Sequence, residues 1–126
     1  MNSPAKRFLV FAACSGAVAV GLGAFGAHVL EDRLAEGMMA IYRTGVEYHF
    51  YHTLALLATG LLALRTPSAK LRAGGWAFAV GTLLFSGSLY ALAISGIRAL
   101  GTITPFGGVL FIVGWILLAL AVAQSD

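Results

Sequence analysis

The sequence predicts an all-α, polytopic membrane protein, a single domain over residues 1–126 folded as a four-transmembrane-helix bundle. Three observations predict it. The hydrophobic residues make up 60% of the chain, and the 16 glycines bring the apolar share to roughly 73%, against about 45–50% for an average globular domain. Charged residues are only 10%, and they gather between long uncharged runs. A sphere built from 126 residues has too little interior for that much apolar surface, so the excess must face lipid or another protein.

The first element is the run Phe8 to Leu30, which holds no Lys, Arg, Asp or Glu. At about 1.5 Å per residue it is long enough for a hydrocarbon core of about 30 Å, so a span over 8–30 is expected. Lys6 and Arg7 followed by an apolar run also suit a secretory leader, with Ala24 to Ala27 as a cleavage site. The run is longer than a usual leader core, and we expect a retained span. Phe11-Ala-Ala-Cys14 resembles a lipoprotein box only faintly, because phenylalanine is poor at its first position. Cys14 stands alone and serves as a small apolar packing residue.

A second span is expected over 41–64, with Arg43 and Glu47 at its membrane edge; it is the polar one. Before it, Leu30, Leu34, Met38 and Ile41 or Tyr42 recur near helical spacing beside Glu31, Asp32, Arg33 and Glu36, which suggests a short amphipathic turn on the surface. Pro67 and Ser68 supply turn chemistry before a third span over 73–97. The fourth is expected over 105–123, opened by Thr104 as N-cap and Pro105 at the first helical position, where the missing N–H costs nothing.

Charge then orients the set. Lys6, Arg7, Arg65, Lys70 and Arg72 fall on one side, and Arg33, Arg43 and Arg98 on the other, so both termini are expected in the cytoplasm. The net charge of +3 is not gathered on one aromatic-studded face, which excludes a nucleic-acid partner. Ala12, Ala19 and Gly26, and likewise Gly74, Gly81, Ser88 and Ser95, repeat every seven residues. Such stripes are packing seams that let helix backbones approach, within the chain or against a second copy or another subunit.

Ionisable residues inside spans are expensive and draw functional attention. Arg43 and Glu47 are four apart and can pair on one face of the second helix. His49 and His52 lie on nearly the opposite face, with Tyr48 beside His52. Because His28 ends the first span, Tyr90 lies late in the third and Thr104 opens the fourth, one polar cluster near a single membrane face is expected: His28, Arg43, Glu47, Tyr48, His52 and Tyr90, with Ser86, Ser88 and Thr104 as hydrogen-bond partners. Haem between His28 and His52, or zinc with Glu47 or Asp32, lacks supporting ligands, so no cofactor and no metal are expected. Glu47 and His52 are five apart, roughly 140° around a helix, and cannot share a proton; no catalytic motif is present, so no enzyme is expected.

Five ordered stretches, Leu22-Gly-Ala-Phe-Gly-Ala-His-Val-Leu30, Thr44-Gly-Val-Glu-Tyr48 with His52-Thr-Leu-Ala55, Leu84-Phe-Ser-Gly-Ser-Leu-Tyr90, Thr104-Pro-Phe-Gly-Gly108 and Gly114-Trp115, resemble a family of small membrane proteins known as domain of unknown function 423. It includes YgdD-like bacterial inner-membrane proteins and transmembrane-protein-256-like relatives. The resemblance covers almost the whole chain and implies four spans in a bacterial inner (plasma) membrane, with no activity attached. His49 departs from the glutamine of the family pattern, which makes it a weaker site candidate than Glu47, Tyr48 or His52. The expected function is that of a noncatalytic packing or assembly protein, or an accessory subunit, with lipid and either a second copy or a larger membrane assembly as partners. The alternative is a small transporter or channel with Glu47 as its titratable group.

Overall fold

The computed structural model describes residues 3–125 and contains four long α-helices. Helix α1, Pro4–Phe25, continues into one π-helical turn, Gly26–Leu30; α2 is Glu36–Arg65; α3 is Ala69–Ser95; a 3-10 turn, Arg98–Thr102, leads into α4, Thr104–Ala123. The helices pack mainly in chain order, α1 on α2, α2 on α3 and α3 on α4, while α1 and α3 touch much less.

Each helix end has a local cause. Ser3 precedes α1 in extended backbone and its side chain accepts from the Lys6 N–H, with proline in the first turn. Ser68 caps α3 in the same way, accepting from the Leu71 N–H at 3.1 Å. Gly96 ends α3 at φ 74°, a left-handed conformation that glycine adopts without cost. Near the end of α1 the Tyr42 hydroxyl donates to the Leu22 carbonyl, and the helix widens into its π turn a few residues later. A side chain joining the backbone ladder is a usual companion of such a distortion.

Every helix starts before its expected span, α1 at Pro4 and α3 at Ala69, and the starts of α2 and α4 also change in character. Helix α2 begins at Glu36, five residues before Ile41, because Met39 and Tyr42 are buried against the end of α1 and draw the chain into helix early. The surface turn expected there shrinks to the few residues after Leu30. At α4, Thr104 is not an N-cap: Ile103 is already in αR backbone with no side-chain cap bond, since the 3-10 turn feeds straight into the helix. The Thr104 hydroxyl bonds to α3 instead.

Three apolar clusters lie along the bundle: Ala5, Ala63 and Leu71 at one end, Phe8, Leu56, Phe78 and Phe111 centrally, and Leu30, Met39, Tyr42 and Ala93 at the other. The small-residue stripes are consumed inside the chain: Ala12, Ala19, Gly26, Gly74, Gly81 and Ser88 are all buried, and only Ser95 is exposed. A Cβ on Gly107 would sit 2.5 Å from the Phe85 amide nitrogen and 2.9 Å from the Gly81 carbonyl oxygen, so α3 and α4 meet backbone to backbone. Small residues give helices in lipid this close van der Waals contact, where hydrophobicity supplies little.

Three of the four helices are long and apolar enough to cross a membrane: Pro4–Leu30, Ala69–Ser95 and Arg98–Ala123, each counted with its adjoining turn. Helix α2 falls short on hydropathy, carrying Tyr48, His49, Tyr51, His52 and Thr53 near its middle. The expected count of four spans thus rests on more than apolarity.

Gly107→Ala is expected to destabilise the bundle by about 1–3 kcal/mol, because rigid backbone must retreat from the new methyl group. Gly87→Ala, where a Cβ meets nothing within 4 Å, is expected to be neutral or slightly stabilising. Thermal unfolding of both variants in one detergent compares them; equal melting temperatures would contradict the close α3–α4 contact.

Candidate functional site

Helix α2 is the source of the polar interior. Its 3.6-residue period sends His49, His52 and Thr53 inward, and all three are buried. They part into two hydrogen-bonded groups on different sides of the helix.

The first group links α1, α2 and α3. Tyr90 OH lies 2.8 Å from His49 Nδ1, His49 Nε2 lies 2.9 Å from Ser15 Oγ, and Ser15 Oγ lies 2.6 Å from Thr53 Oγ1. The Tyr90 ring packs on Tyr42 at 5.3 Å between centroids and lies across Gly45, where a Cβ would meet it at 2.9 Å. Gly45 therefore makes room for the phenol that meets His49.

The second group joins α2 to α4. The His52 ring stacks on Phe111 with centroids 3.5 Å apart and planes within 5°, and Phe78 and Trp115 close in beside it. His52 Nδ1 lies 2.8 Å from the Tyr48 carbonyl oxygen, and Trp115 Nε1–H donates to His52 Nε2 at 3.0 Å. A carbonyl only accepts and an indole N–H only donates, so this imidazole is neutral with its proton on Nδ1. Neither ring nitrogen is free to bind iron, and the haem geometry weighed for His28 and His52 does not fit.

Two smaller contacts stitch α3 to its neighbours. Ser86 Oγ donates to the Gly45 carbonyl at 2.7 Å. Ser88 Oγ donates to the Phe85 carbonyl at 2.9 Å and lies 2.5 Å from Thr104 Oγ1. With its own proton used, Ser88 must accept from Thr104.

The expected cluster is thus brought together only in part. Tyr90 joins His49 rather than His52, while Ser86 and the Ser88–Thr104 pair form separate contacts. Tyr48 stacks on Phe85 at 4.6 Å and lends His52 its carbonyl. His28 is exposed on the π turn, away from both groups. The Arg43–Glu47 pair does not form: Arg43 Nη2 donates to Glu31 Oε1 at 2.8 Å, because the turn after α1 brings Glu31 beside the first turns of α2. Both partners are about half exposed, 54% each, so the pair contributes little to stability. Glu47 is exposed and faces a groove between α1 and α2 with Gly23, Gly26 and Tyr42.

The polar groups lie at different levels along the helices: His52 is about 24 Å from the start of α2, and Trp115 is about 16 Å into α4. Ser15, Thr53 and Trp115 escaped the sequence reading, and His49 was ranked below its neighbours. Ser15, a lone hydroxyl midway along an apolar run, is a signal in the sequence; Trp115 carries none beyond the Gly114-Trp115 resemblance. Among the described residues, no three His, Cys, Asp or Glu side chains are grouped as a metal site.

A helical bundle with apolar outer faces and a small hydrogen-bonded interior defines the chain as a polytopic membrane protein, and comparison with known proteins agrees. A family model described as "Protein of unknown function (DUF423)" matches residues 22–108. A UPF0382 membrane protein of Staphylococcus epidermidis strain ATCC 12228 is 47% identical over 116 residues, which is 92% of this chain and 94% of the relative. The UPF0382 membrane protein YwdK of Bacillus subtilis strain 168 is 42% identical over 120 residues, 94% and 98% of the two chains. The UPF0382 inner membrane protein YgdD of Escherichia coli K12 is 46% identical over 114 residues, 90% and 87%. No solved structure matches. The chain belongs to the DUF423 family. It is a multi-pass protein of the bacterial inner, or plasma, membrane: YwdK is named a membrane protein and YgdD an inner membrane protein.

Trp115→Phe removes the donor to His52 Nε2 and leaves a buried acceptor without a partner. The expected cost is about 1–3 kcal/mol, read from denaturant titration in mixed micelles. In the wild type, side-chain nitrogen NMR is expected to give His52 a protonated Nδ1 and an unprotonated Nε2; the opposite tautomer would contradict the pairing with Trp115.

Proposed function

We propose that this chain is a noncatalytic membrane protein that spans the bilayer four times, keeps both termini in the cytoplasm, and serves as a packing or assembly subunit alongside a second copy or another membrane protein. The observation that carries the reading is the division of labour between its faces. Inside, every buried side-chain nitrogen and oxygen among the described residues has a hydrogen-bond partner. The imidazole of His52 is held on both nitrogens by groups that only position it. Outside, α4 is a 20-residue helix without a charged side chain, and Phe106, Val109, Ile112 and Ile116 are each more than half exposed. Large side chains there offer a broad apolar ridge to lipid or to a partner helix.

Four spans are supported by packing rather than hydropathy. Helix α2 has 30 residues, about 45 Å, and lies against α1 on one side and α3 on the other, so it must cross wherever they cross. Its His49, His52, Thr53 and Thr59 side chains are buried and turned away from lipid, which removes much of the cost that a hydropathy count assigns to them. Orientation is supported by the five basic residues at the end that holds Lys6, Arg65 and Lys70, against three at the other end.

The transporter reading finds less support. Glu47 is exposed beside the π turn and belongs to neither hydrogen-bonded histidine group. Catalysis finds little support: His49 meets the Ser15 hydroxyl beside the α1–α3 groove, but its other nitrogen faces the Tyr90 phenol rather than a carboxylate, and Ser15 is also tied to Thr53.

Extraction in a mild detergent followed by native-size measurement tests the assembly. A stable mass above that of one 13.1 kDa chain plus its micelle is expected, from a second copy or a co-purifying membrane protein. A strict monomer without companions would remove the reading. Topology is tested separately with Cys14 replaced by serine and single cysteines placed at Ser68 and Thr102. A membrane-impermeant maleimide applied to intact spheroplasts is expected to label position 102 and spare position 68; the reverse pattern would invert the orientation.

A further inference from the structure

Between α1 and α3, which touch each other far less than either touches α2, lies a groove of about 340 Å³. Its walls are Phe11, Cys14 and Val18 on α1 and Leu83 and Gly87 on α3, and they are almost wholly apolar. At its edge and floor stand Tyr90, His49 and Ser15, the first three members of the hydrogen-bonded chain that ends at Thr53.

The protons of that chain can be counted. Tyr90, Ser15 and Thr53 each own one O–H, and a neutral His49 owns one N–H, which makes four donors. Three contacts join the four residues, so one donor is left over. It belongs to whichever end of the chain points outward. Thr53 is 6% exposed and, unlike the other buried threonines Thr59 and Thr82, makes no bond to the carbonyl four residues back. A buried O–H with no acceptor is costly, so Thr53 must donate to Ser15. Ser15 then donates to His49 Nε2, His49 Nδ1–H donates to Tyr90, and the phenolic O–H of Tyr90 is left without a protein acceptor. Tyr90 is only partly buried and lines the groove.

Depth identifies what can meet it. Starting the hydrocarbon core at Ala73, just past Arg72, a thickness of about 30 Å ends near Leu92, which puts the Tyr90 backbone about 3 Å below the edge and its hydroxyl within one side-chain length of it. No water is available inside hydrocarbon to accept from a phenol. At that level the acceptor that an ester-linked glycerolipid brings is the carbonyl of an acyl chain, an oxygen that accepts and cannot donate. From Tyr90 the groove continues along α1 from Leu22 to Phe11, about 16 Å of apolar wall for the chain that follows the ester.

We propose that the α1–α3 groove is a binding site for one acyl chain of an ester-linked glycerophospholipid, with the ester carbonyl accepting the Tyr90 O–H and the hydrocarbon lying against Val18, Cys14 and Phe11. The site is independent of the assembly reading, because it uses α1 and α3 and leaves the outer ridge of α4 free.

Native mass spectrometry of the full chain released from nanodiscs tests it. The discs contain equal amounts of a diester phospholipid and the matched diether phospholipid, alike in headgroup and chains but lacking the carbonyl. Wild type is expected to retain one diester lipid roughly 3- to 10-fold more often than the diether, the worth of one net hydrogen bond. Tyr90→Phe is expected to bring that ratio to about one, and Gly87→Leu, which fills the wall where a Cβ meets nothing, to lower retention of both lipids. A wild-type ratio of one overturns the proposal without recourse to any variant. So does a preference that survives Tyr90→Phe. Selective retention of an isoprenoid quinone over both phospholipids, when it is added to the same discs, would overturn the glycerolipid as occupant.

Discussion

Helix α2 can run through the bundle only because its polar side chains find partners on every helix around it. His49 reaches Tyr90 of α3 and Ser15 of α1, and His52 meets Trp115 of α4. The Gly45 carbonyl takes the hydroxyl of Ser86. Left facing lipid, each of these groups would cost several kcal/mol, since hydrocarbon offers no exchange partner. Facing inward, they tie α2 to all three neighbours at fixed rotations. A helix turned by one residue, about 100°, would lose all of these bonds together. Small-residue packing alone tolerates some sliding; the hydrogen bonds set the register.

Close packing and polar pairing depend on each other here. Gly45 leaves space for the ring of Tyr90, which is what brings the phenol to His49. Gly107 and Gly81 let α4 settle against α3, and that approach delivers Phe111 and Trp115 to the two sides of His52. Phe78 fits where Gly114 has no side chain, closing the third side of the imidazole. The glycines thus do more than permit contact between backbones. They decide which aromatic rings reach the histidines.

The helical class and the family were legible because both rest on long-range composition and on motifs that need no tertiary knowledge: uncharged runs, basic residues between them, and the ordered stretches from Leu22 to Trp115. The centre of the interior was less legible. A 100° wheel separates His49 from His52 but says nothing about which neighbour each will face, so Tyr90 was grouped with the wrong histidine. Arg43 and Glu47 have the spacing of a helical ion pair, yet Glu31 arrives from the preceding turn and competes at shorter reach. The early start of α2 at Glu36 came from burial of Met39 and Tyr42 against α1, a tertiary effect invisible to a count of charges.

Ser15 carries a wider lesson about reading spans. In an apolar run rich in alanine and glycine, one serine passes for another small packing residue, and in most helices its hydroxyl would return to its own backbone. Here it does neither of those alone. It stands between His49 and Thr53 and relays the direction that buried Thr53 imposes, because a single O–H can serve only one of them. The consequence appears at the far end, on a tyrosine of another helix, as a donor turned toward lipid. A polar side chain in a membrane interior is therefore best judged by the proton balance of the network it joins, since that balance, more than the residue's own exposure, determines what the protein presents to its surroundings.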